Sequence, residues 1–372
     1  MHKQLDILAI EPFHGGGRRA MLEAITRCSR HRWKVLTLPA RRMERRLLVS
    51  ATWFAEHLAR NKIGPVDLVF SSEALNLADF FRFRPELARR PSVVYFHDNQ
   101  LPEQGDGQAE APTDLVNLNS AMAATEIWFN SLFNLRTFLK RASGLVARHP
   151  ELQVRNPMPS LAAKAHLVPP PVDMSLLHEM ASDSPAWQRD PRALLLDTRG
   201  ADLSTVGALL DALEDRGERL DLTVIGRIPH RPSSLPHIYL DERDDASHVR
   251  ALGDASLLIS ARPNAAHDDL TVRALVTGCL PIVPHSGIYP ELLPKPMHRY
   301  CLHDGSAQSM LDRVLNAWYL ERPSGMEVLL DDLLSNFDAV TACRHLDHRL
   351  DRLAHLPSLK VMKKPRRRLE LA

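Results

Sequence analysis

The sequence predicts an α/β protein of two doubly wound, Rossmann-like domains that face each other across a cleft. Apolar strand-like runs alternate with amphipathic helical segments in two successive series. Such alternation indicates parallel sheets that are covered by helices on both faces. A proline-rich stretch separates the two series, and a length of 372 residues suits two domains of roughly 150 residues each.

The first series opens with an apolar run over 5–10 that ends at a proline and three glycines. Met21, Leu22 and Ile25 follow with helical spacing, so we expect the order strand, turn, helix. Further strands are predicted at 33–38, 67–70, 92–96 and 126–129, and helices at 18–28, 50–60 and 131–140. These elements make one doubly wound unit.

The second series follows prolines that bracket a short strand at 165–168. Strands are predicted at 193–196, 221–225, 255–260 and 280–283, with a short one near Ile238, and helices at 203–213, 245–252 and 270–277. We therefore expect an N-terminal domain over 1–173, a second domain over 174–340, and a C-terminal helix with a basic tail over 341–372. Such a pattern fits glycosyltransferases of the GT-B architecture, but also epimerases and some periplasmic-type binding proteins.

Composition excludes several classes of protein. Hydrophobic residues make up 44% and charged residues 25% of the chain, which is typical of a folded protein rather than a disordered one. No apolar run approaches the roughly 20 residues that span a bilayer, and the N-terminus lacks the pattern of a signal peptide, so we expect a cytoplasmic protein. The four cysteines are too few and too scattered for a disulfide framework or a metal site.

Basic residues are clustered although the net charge is only +2. One cluster contains Arg41, Arg42, Arg45 and Arg46, and others lie at 82–90 and in the tail at 360–368. Such clusters supply affinity for phosphate backbones, and solvated helix faces are an equally good explanation of each cluster taken singly.

The glycine turn formed by Gly15, Gly16 and Gly17 follows the first strand and opens a helix. Free backbone N–H groups at the positive end of a helix suit a phosphate or a developing anion. A tight turn that needs positive φ is the competing explanation, because the full dinucleotide-binding spacing is absent.

Polar side chains follow the next strands directly. His97, Asp98, Asn99 and Gln100 come after the strand at 92–96, at the sheet edge where ligands bind in this class of fold. Four hydrogen-bonding residues in a row are costly unless they line a cleft or cap a helix. Asn130 ends the following strand, and Ser131 is expected to cap the helix after it.

Several segments together resemble the tRNA-queuosine alpha-mannosyltransferase family, which is related to the family 4 retaining glycosyltransferases of GT-B architecture. The segments lie at 10–17 (IEPFHGGG), 37–42 (TLPARR), 50–54 (SATWF), 95–101 (YFHDNQL), 129–134 (FNSLFN), 278–281 (GCLP) and 289–294 (YPELLP). The combination is specific although no single segment is.

The resemblance implies transfer of mannose from GDP-mannose to queuosine in the anticodon of a tRNA, tRNA-Asp in the family, without a metal. Within it His97 would touch the transferred sugar, and His14, Arg18, Arg41 and Arg42 would lie on the acceptor side with Asp98, Asn99, Gln100 and Asn130. Arg199 matches the family's catalytic arginine, which stabilises the departing diphosphate. The glycine turn would lie in the same cleft and bind phosphate.

The donor side departs from the family pattern. Ser204 stands where the family has a lysine, and Ala265 and Arg273 stand where it has two glutamates. Asp268 and Asp269 are expected to take over hydroxyl contacts, and Arg262 or Arg273 to supply the missing positive charge. The segment His267, Asp268 and Asp269 is only a weak metal candidate, and no Asp-x-Asp motif indicates a metal-dependent transferase.

Two alternatives stay open. One is a nucleotide-sugar glycosyltransferase whose acceptor is a lipid, a glycan or a small molecule. The other is a non-catalytic RNA-binding relative with a degraded donor site, which Ser204, Ala265 and Arg273 would explain.

Overall fold

A computed structural model describes residues 3–102, 111–148, 157–184, 188–217, 219–229, 237–241, 244–319 and 326–355. Within these ranges two six-stranded sheets form, and every strand pairs in parallel with its neighbours. The predicted fold class, two Rossmann-like doubly wound domains, is therefore confirmed. The basic tail at 360–368 lies outside the described residues.

The first sheet has the strand order β2-β1-β3-β4-β5-β6. Its strands are β1 (Asp6–His14), β2 (Arg32–Pro39), β3 (Leu68–Ser72), β4 (Ser92–Phe96), β5 (Glu126–Phe129) and β6 (Ala165–Leu167). The helices are α1 (Gly16–Cys28), α2 (Met43–Arg60), α3 (Leu77–Phe83), α4 (Val116–Ala123), α5 (Leu132–Ala147) and α6 (Met158–Ala163), with a 3₁₀ turn at Leu87–Arg89.

The second sheet has the order β12-β11-β10-β7-β8-β9. Its strands are β7 (Ala193–Asp197), β8 (Asp221–Ile225), β9 (His237–Leu240), β10 (Leu257–Ser260), β11 (Leu280–Pro284) and β12 (Leu302–His303). The helices that follow α6 along the chain are α7 (Ser175–Asp183), α8 (Leu203–Glu214), α9 (Asp245–Asp254), α10 (Asp269–Thr277), α11 (Tyr289–Leu292), α12 (Lys295–Cys301), α13 (Ala307–Tyr319), α14 (Met326–Ser335) and α15 (Ala339–Ala354).

Strand β1 continues beyond its predicted end at Ile10. The strand runs to His14 with a register shift between Glu11 and His14 against β2. The extension carries Glu11 and Phe13 along the sheet, and α1 begins at Gly16 instead of Arg18. Sequence periodicity missed both boundaries because proline and glycine usually end a regular element.

Helix α15 returns to the first sheet. Cys343, Leu346 and Leu350 are buried against β1 and β3, in the same core cluster as Met21 and Ile25 of α1. Ser29 Oγ donates a 2.5 Å hydrogen bond to Asp347, which attaches α15 to the end of α1. The described part of the predicted segment 341–372 therefore packs against the N-terminal sheet.

Candidate active site

The carboxyl ends of the two sheets meet at a cleft. Ser131 Oγ donates a 2.8 Å hydrogen bond across it to the backbone oxygen of Ala266. Glu291 accepts hydrogen bonds of 2.7 and 2.9 Å from the backbone N–H groups of Leu132 and Phe133 at the start of α5. A residue of the second domain thus satisfies N–H groups that a helix N-terminus leaves without partners. Ser131 also accepts from Asn134 N, which confirms its predicted role as the cap of α5.

The glycine turn forms part of the first domain's wall of the cleft. Each glycine meets a different constraint: a Cβ on Gly15 would lie 2.7 Å from Ala40 Cβ, and Gly16 has φ of +52°. A Cβ on Gly17 would lie 4.0 Å from Asp269 Cβ in the second domain. No side chain caps α1. The backbone N–H groups of its first turn therefore lie close to the start of α10.

Glu73 is the centre of a buried polar cluster at the carboxyl edge of the first sheet. Its side chain is fully buried just after β3 and accepts a 2.5 Å bond from Arg18 Nη2. The same carboxylate accepts from the backbone N–H groups of His97 and Asp98 at 3.2 and 3.1 Å. One buried charge therefore fixes Arg18 and the loop after β4 together, which is how such an ion gains enough partners to remain ionised.

Arg18 and Glu11 lie beside Glu73. Burial raises the pKa of Glu11 to about 7, the charge of Arg18 opposes this rise, and the charge of Glu73 adds to it. Glu11 Oε1 also accepts a 2.7 Å bond from Phe13 N. Arg18 Nη1 is buried and has no hydrogen-bond partner among the described residues. An arginine whose second amino group is unpaired is well suited to a ligand oxygen.

His97 is held neutral. Burial lowers its pKa well below the usual range, and the nearby charges of Arg18 and His267 act in the same direction. The ring packs on Tyr95 with centroids 4.7 Å apart. A neutral imidazole donates one hydrogen bond and accepts another, so this side chain suits a hydroxyl group better than it suits an anion.

The asparagines beside His97 stabilise the loops. Asn130 Nδ2 donates to the backbone oxygen of His97 at 2.7 Å, and Asn99 Nδ2 donates to Asn134 Oδ1 at 3.2 Å. Gln100 takes part through its backbone N–H, which donates to Asn117 Oδ1 at 2.7 Å. A cavity of about 300 Å³ lies beside this network and is lined by Asp98, Asn99, Phe133, Asn134, Thr137, Lys140, Arg141, Asn264 and Ala266.

His14, Arg41 and Arg42 lie near the mouth of the cleft. His14 ends β1, and burial lowers its pKa. Arg41 and Arg42 are exposed, and Arg42 has φ of +51°, which is unusual for a residue other than glycine. They directly follow Ala40, the residue that packs on Gly15.

On the second domain Arg199 and Arg262 approach a second cavity. Arg199 forms a paired ion contact with Asp197, with both N–O distances 2.8 Å, and Arg262 is exposed next to Gly200. The cavity measures about 360 Å³ and is lined by Asp202, Thr205, Ala261, Pro263, Pro284, His285, Ser286, Asp304 and Gly305. It lies where β7, β10, β11 and β12 end, which is the usual place for a nucleotide in this class of fold.

Asp268, Asp269 and Arg273 belong to one structural cluster in the second domain. Asp268 caps α10 and accepts a 2.9 Å bond from the hydroxyl of Tyr289. Arg273 pairs with Asp269 at 2.7 Å and with Asp245 at 2.9 Å. Capping and ion pairing explain these three residues, so their predicted donor contacts and the replacement of the missing lysine by Arg273 stay predictions.

Sequence reasoning missed three residues of this site as candidates. Glu73 and Glu11 are buried acids at strand ends, and the only sequence signal for Glu73 is the polar string of Ser71, Ser72 and Glu73 after apolar residues. His267 was considered only as a weak metal ligand. Its Nδ1 is buried without a partner among the described residues, and its charge affects His97 in the opposite domain.

Comparison with known proteins agrees with the motifs. The family model described as tRNA-queuosine alpha-mannosyltransferase N-terminal matches residues 6–172. The tRNA-queuosine alpha-mannosyltransferase of Drosophila melanogaster is 26% identical over 310 residues, which cover 78% of this chain and 82% of that protein. The N-terminal half belongs to the tRNA-queuosine alpha-mannosyltransferase family. The predicted resemblance is confirmed, and the chain is a glycosyltransferase.

Solved structures confirm the GT-B fold. Anabaena HepE in complex with UDP and glucose matches with a TM-score of 0.60 and 14% identity, covering 94% of this chain and all of that one (100%). The catalytic domain of starch synthase IV from Arabidopsis thaliana, bound to ADP and acarbose, matches with a TM-score of 0.64 and 10% identity, covering 95% and 99% of the two chains. Among the described residues no helix is long and apolar enough to cross a membrane.

Proposed function

We propose that the protein is a retaining glycosyltransferase that moves mannose from GDP-mannose to queuosine at the anticodon wobble position of a tRNA. The observation that carries the proposal is the cluster of Glu73, Arg18 and His97, which faces the start of α10 across the cleft. The name of the Drosophila relative supports the acceptor and the sugar.

The proposed reaction exchanges one bond for another at the anomeric carbon of the sugar. The bond to the donor diphosphate breaks, a bond to a hydroxyl oxygen of the acceptor forms, and the hydroxyl proton passes to the departing diphosphate. Negative charge grows on the diphosphate, so fixed positive groups lower the barrier. Arg18 Nη1, the N-terminus of α1, Arg199 and Arg262 are the groups that we assign to this task.

His97 and His267 are assigned to the transferred sugar. His97 is neutral, and burial lowers the pKa of His267 as well. A neutral ring with an unpaired nitrogen, such as His267 Nδ1, suits a sugar hydroxyl. We further propose that the reaction needs no metal and takes place in the cytoplasm, where tRNA is found.

The direct test incubates purified protein with queuosine-containing tRNA and GDP-mannose and measures the nucleoside mass. We expect a gain of one hexose, the same gain after treatment with EDTA, and none on tRNA that carries guanosine instead of queuosine. No gain with GDP-mannose or any other common nucleotide sugar would reject the proposal. A gain that EDTA abolishes would reject metal independence alone.

A second candidate function follows from the donor side. Ser204 bonds to Asp202 at the start of α8, and Arg273 is paired with two carboxylates, so neither restores the family pattern. A non-catalytic RNA-binding relative would bind tRNA without binding a nucleotide sugar, which calorimetry detects. Measurable hydrolysis of a donor sugar would eliminate this candidate.

A further inference from the structure

Helix α2 carries an exposed stripe of residues spaced three or four apart along its length. Residues with this spacing lie on one face of a helix. The opposite face is buried in the core of the first domain and includes Leu47, Ala51, Phe54 and Leu58. We call the exposed set the α2 stripe; it consists of Arg42, Arg45, Val49, Trp53, Glu56 and Arg60.

Trp53 is the most unusual member of the α2 stripe. The side chain is 45% exposed, and Val49 beside it is 54% exposed. The indole ring stacks on His57 with centroids 5.2 Å apart and packs edge-on against Phe54 at 5.0 Å. Neighbouring rings therefore hold a large aromatic surface in a fixed orientation while much of it remains in contact with solvent.

Positive charge lies at the end of the stripe nearest the cleft. Arg42 and Arg45 are exposed there, whereas Glu56 and Arg60 pair with each other at 3.1 Å near the far end. The helix starts just after Ala40, which packs on the glycine turn at Gly15. At about 1.5 Å per residue, Trp53 lies about 16 Å along the helix from Arg42. The basic and aromatic groups thus lead away from the candidate active site.

We propose that the α2 stripe binds a single-stranded loop of the RNA acceptor, with an unpaired base stacked on Trp53 and backbone phosphates on Arg42 and Arg45. Single strands are commonly bound by aromatic platforms combined with cations, because every base has a face that stacks. The proposal rests on the proposed function for the identity of its partner. It adds the surface that places the loop at the cleft.

A lipid surface fits the stripe less well than RNA does. Helices that lie on membranes present a continuous apolar face to the lipid. The continuous apolar face of α2 is buried in the domain core, and the exposed side alternates cations with single apolar side chains and carries Glu56.

The test compares tRNA affinity and its salt dependence between variants, by fluorescence anisotropy with labelled full-length tRNA. We expect Trp53→Ala to weaken binding about tenfold, which is about 1.4 kcal/mol and within the range of base–aromatic stacking. Trp53→Phe keeps a ring and should stay within about threefold of the wild-type protein. Tyr319→Ala removes an aromatic side chain that is 69% exposed on α13, and as the matched control it should change nothing.

Salt dependence separates stacking from charge. Arg45→Ala should lower the slope of log affinity against log salt by about 0.7, the amount expected for one phosphate contact on a single strand. Trp53→Ala should leave that slope unchanged. Thermal unfolding of each variant shows whether a loss of affinity comes from a loss of folded protein.

The outcomes distinguish this surface from the proposed activity. Equal tRNA affinity of the Trp53→Ala variant and the wild-type protein overturns the surface, whether or not hexose is transferred. Binding that depends on Trp53 in a protein that transfers no hexose supports the surface and rejects the activity. Trp53-dependent binding to phosphatidylserine vesicles, without tRNA binding, overturns the RNA proposal in favour of a membrane.

Discussion

Glu11→Gln should make the protein more stable at alkaline pH. Burial raises the pKa of the folded Glu11 carboxyl to about 7 from an ordinary value of 4.5. Between these values the unfolded chain loses its proton while the folded chain keeps it, so stability is full below pH about 4.5 and falls as the pH rises through about 7. A difference of that size corresponds to about 3 kcal/mol of unfolding free energy.

Glutamine has the same shape as a protonated glutamate and keeps the acceptor for Phe13 N, so the variant lacks this pH dependence. We expect Glu11→Gln to match the wild-type protein near pH 4.5 and to exceed it by up to about 3 kcal/mol at pH 8. Histidines with lowered pKa titrate in the same window with the opposite sign, but they are common to both proteins and cancel in the difference.

Urea unfolding followed by tryptophan fluorescence at several pH values measures the effect. Glu23→Gln is the matched control, because Glu23 is an exposed partner of Arg19 on α1 and should give a small difference at every pH. A Glu11→Gln variant that is less stable at pH 8, or whose advantage does not change with pH, would refute the assigned burial of a carboxyl between Arg18 and Glu73.

Three further substitutions test the site. Glu73→Gln removes the buried partner of Arg18 and should lower the unfolding free energy by about 3–5 kcal/mol, and a loss below 1 kcal/mol in urea unfolding would contradict the central role of this residue. Gly15→Ala forces a Cβ to within 2.7 Å of Ala40 Cβ and should cost about 1–3 kcal/mol, whereas Gly17→Ala, with 4.0 Å of space, should not lower the melting temperature. Arg199→Ala should slow hexose transfer at least about a hundredfold without weakening tRNA binding, and an unchanged rate would remove Arg199 from the proposed diphosphate site.

Local patterns were sufficient to predict the sheets and the position of the first domain's wall. Apolar runs followed directly by polar residues predicted that His97, Asp98 and Asn130 lie at the ends of β4 and β5. Parallel strands place their carboxyl ends on one edge, so residues at neighbouring strand ends come together without further information. The glycine turn was predicted for the same reason, because only a close approach or positive φ requires glycine there.

Partnerships across long sequence separations could not be predicted in this way. Glu73 looks like an ordinary acid in the sequence, and only the fold shows that Arg18 and the loop after β4 bond to it. The same holds for His267, which meets His97 only when the two domains are side by side.

The sequence by itself determined that the chain forms two doubly wound domains with a glycine turn and polar strand ends at a cleft, since strand and helix periods and local turn chemistry depend on neighbouring residues. Tertiary structure alone decided which charges are buried together, which arginines are already paired, and that α15 closes the first sheet. Burial and ion pairing depend on the surroundings of a side chain in space, and residues far apart in the chain supply those surroundings.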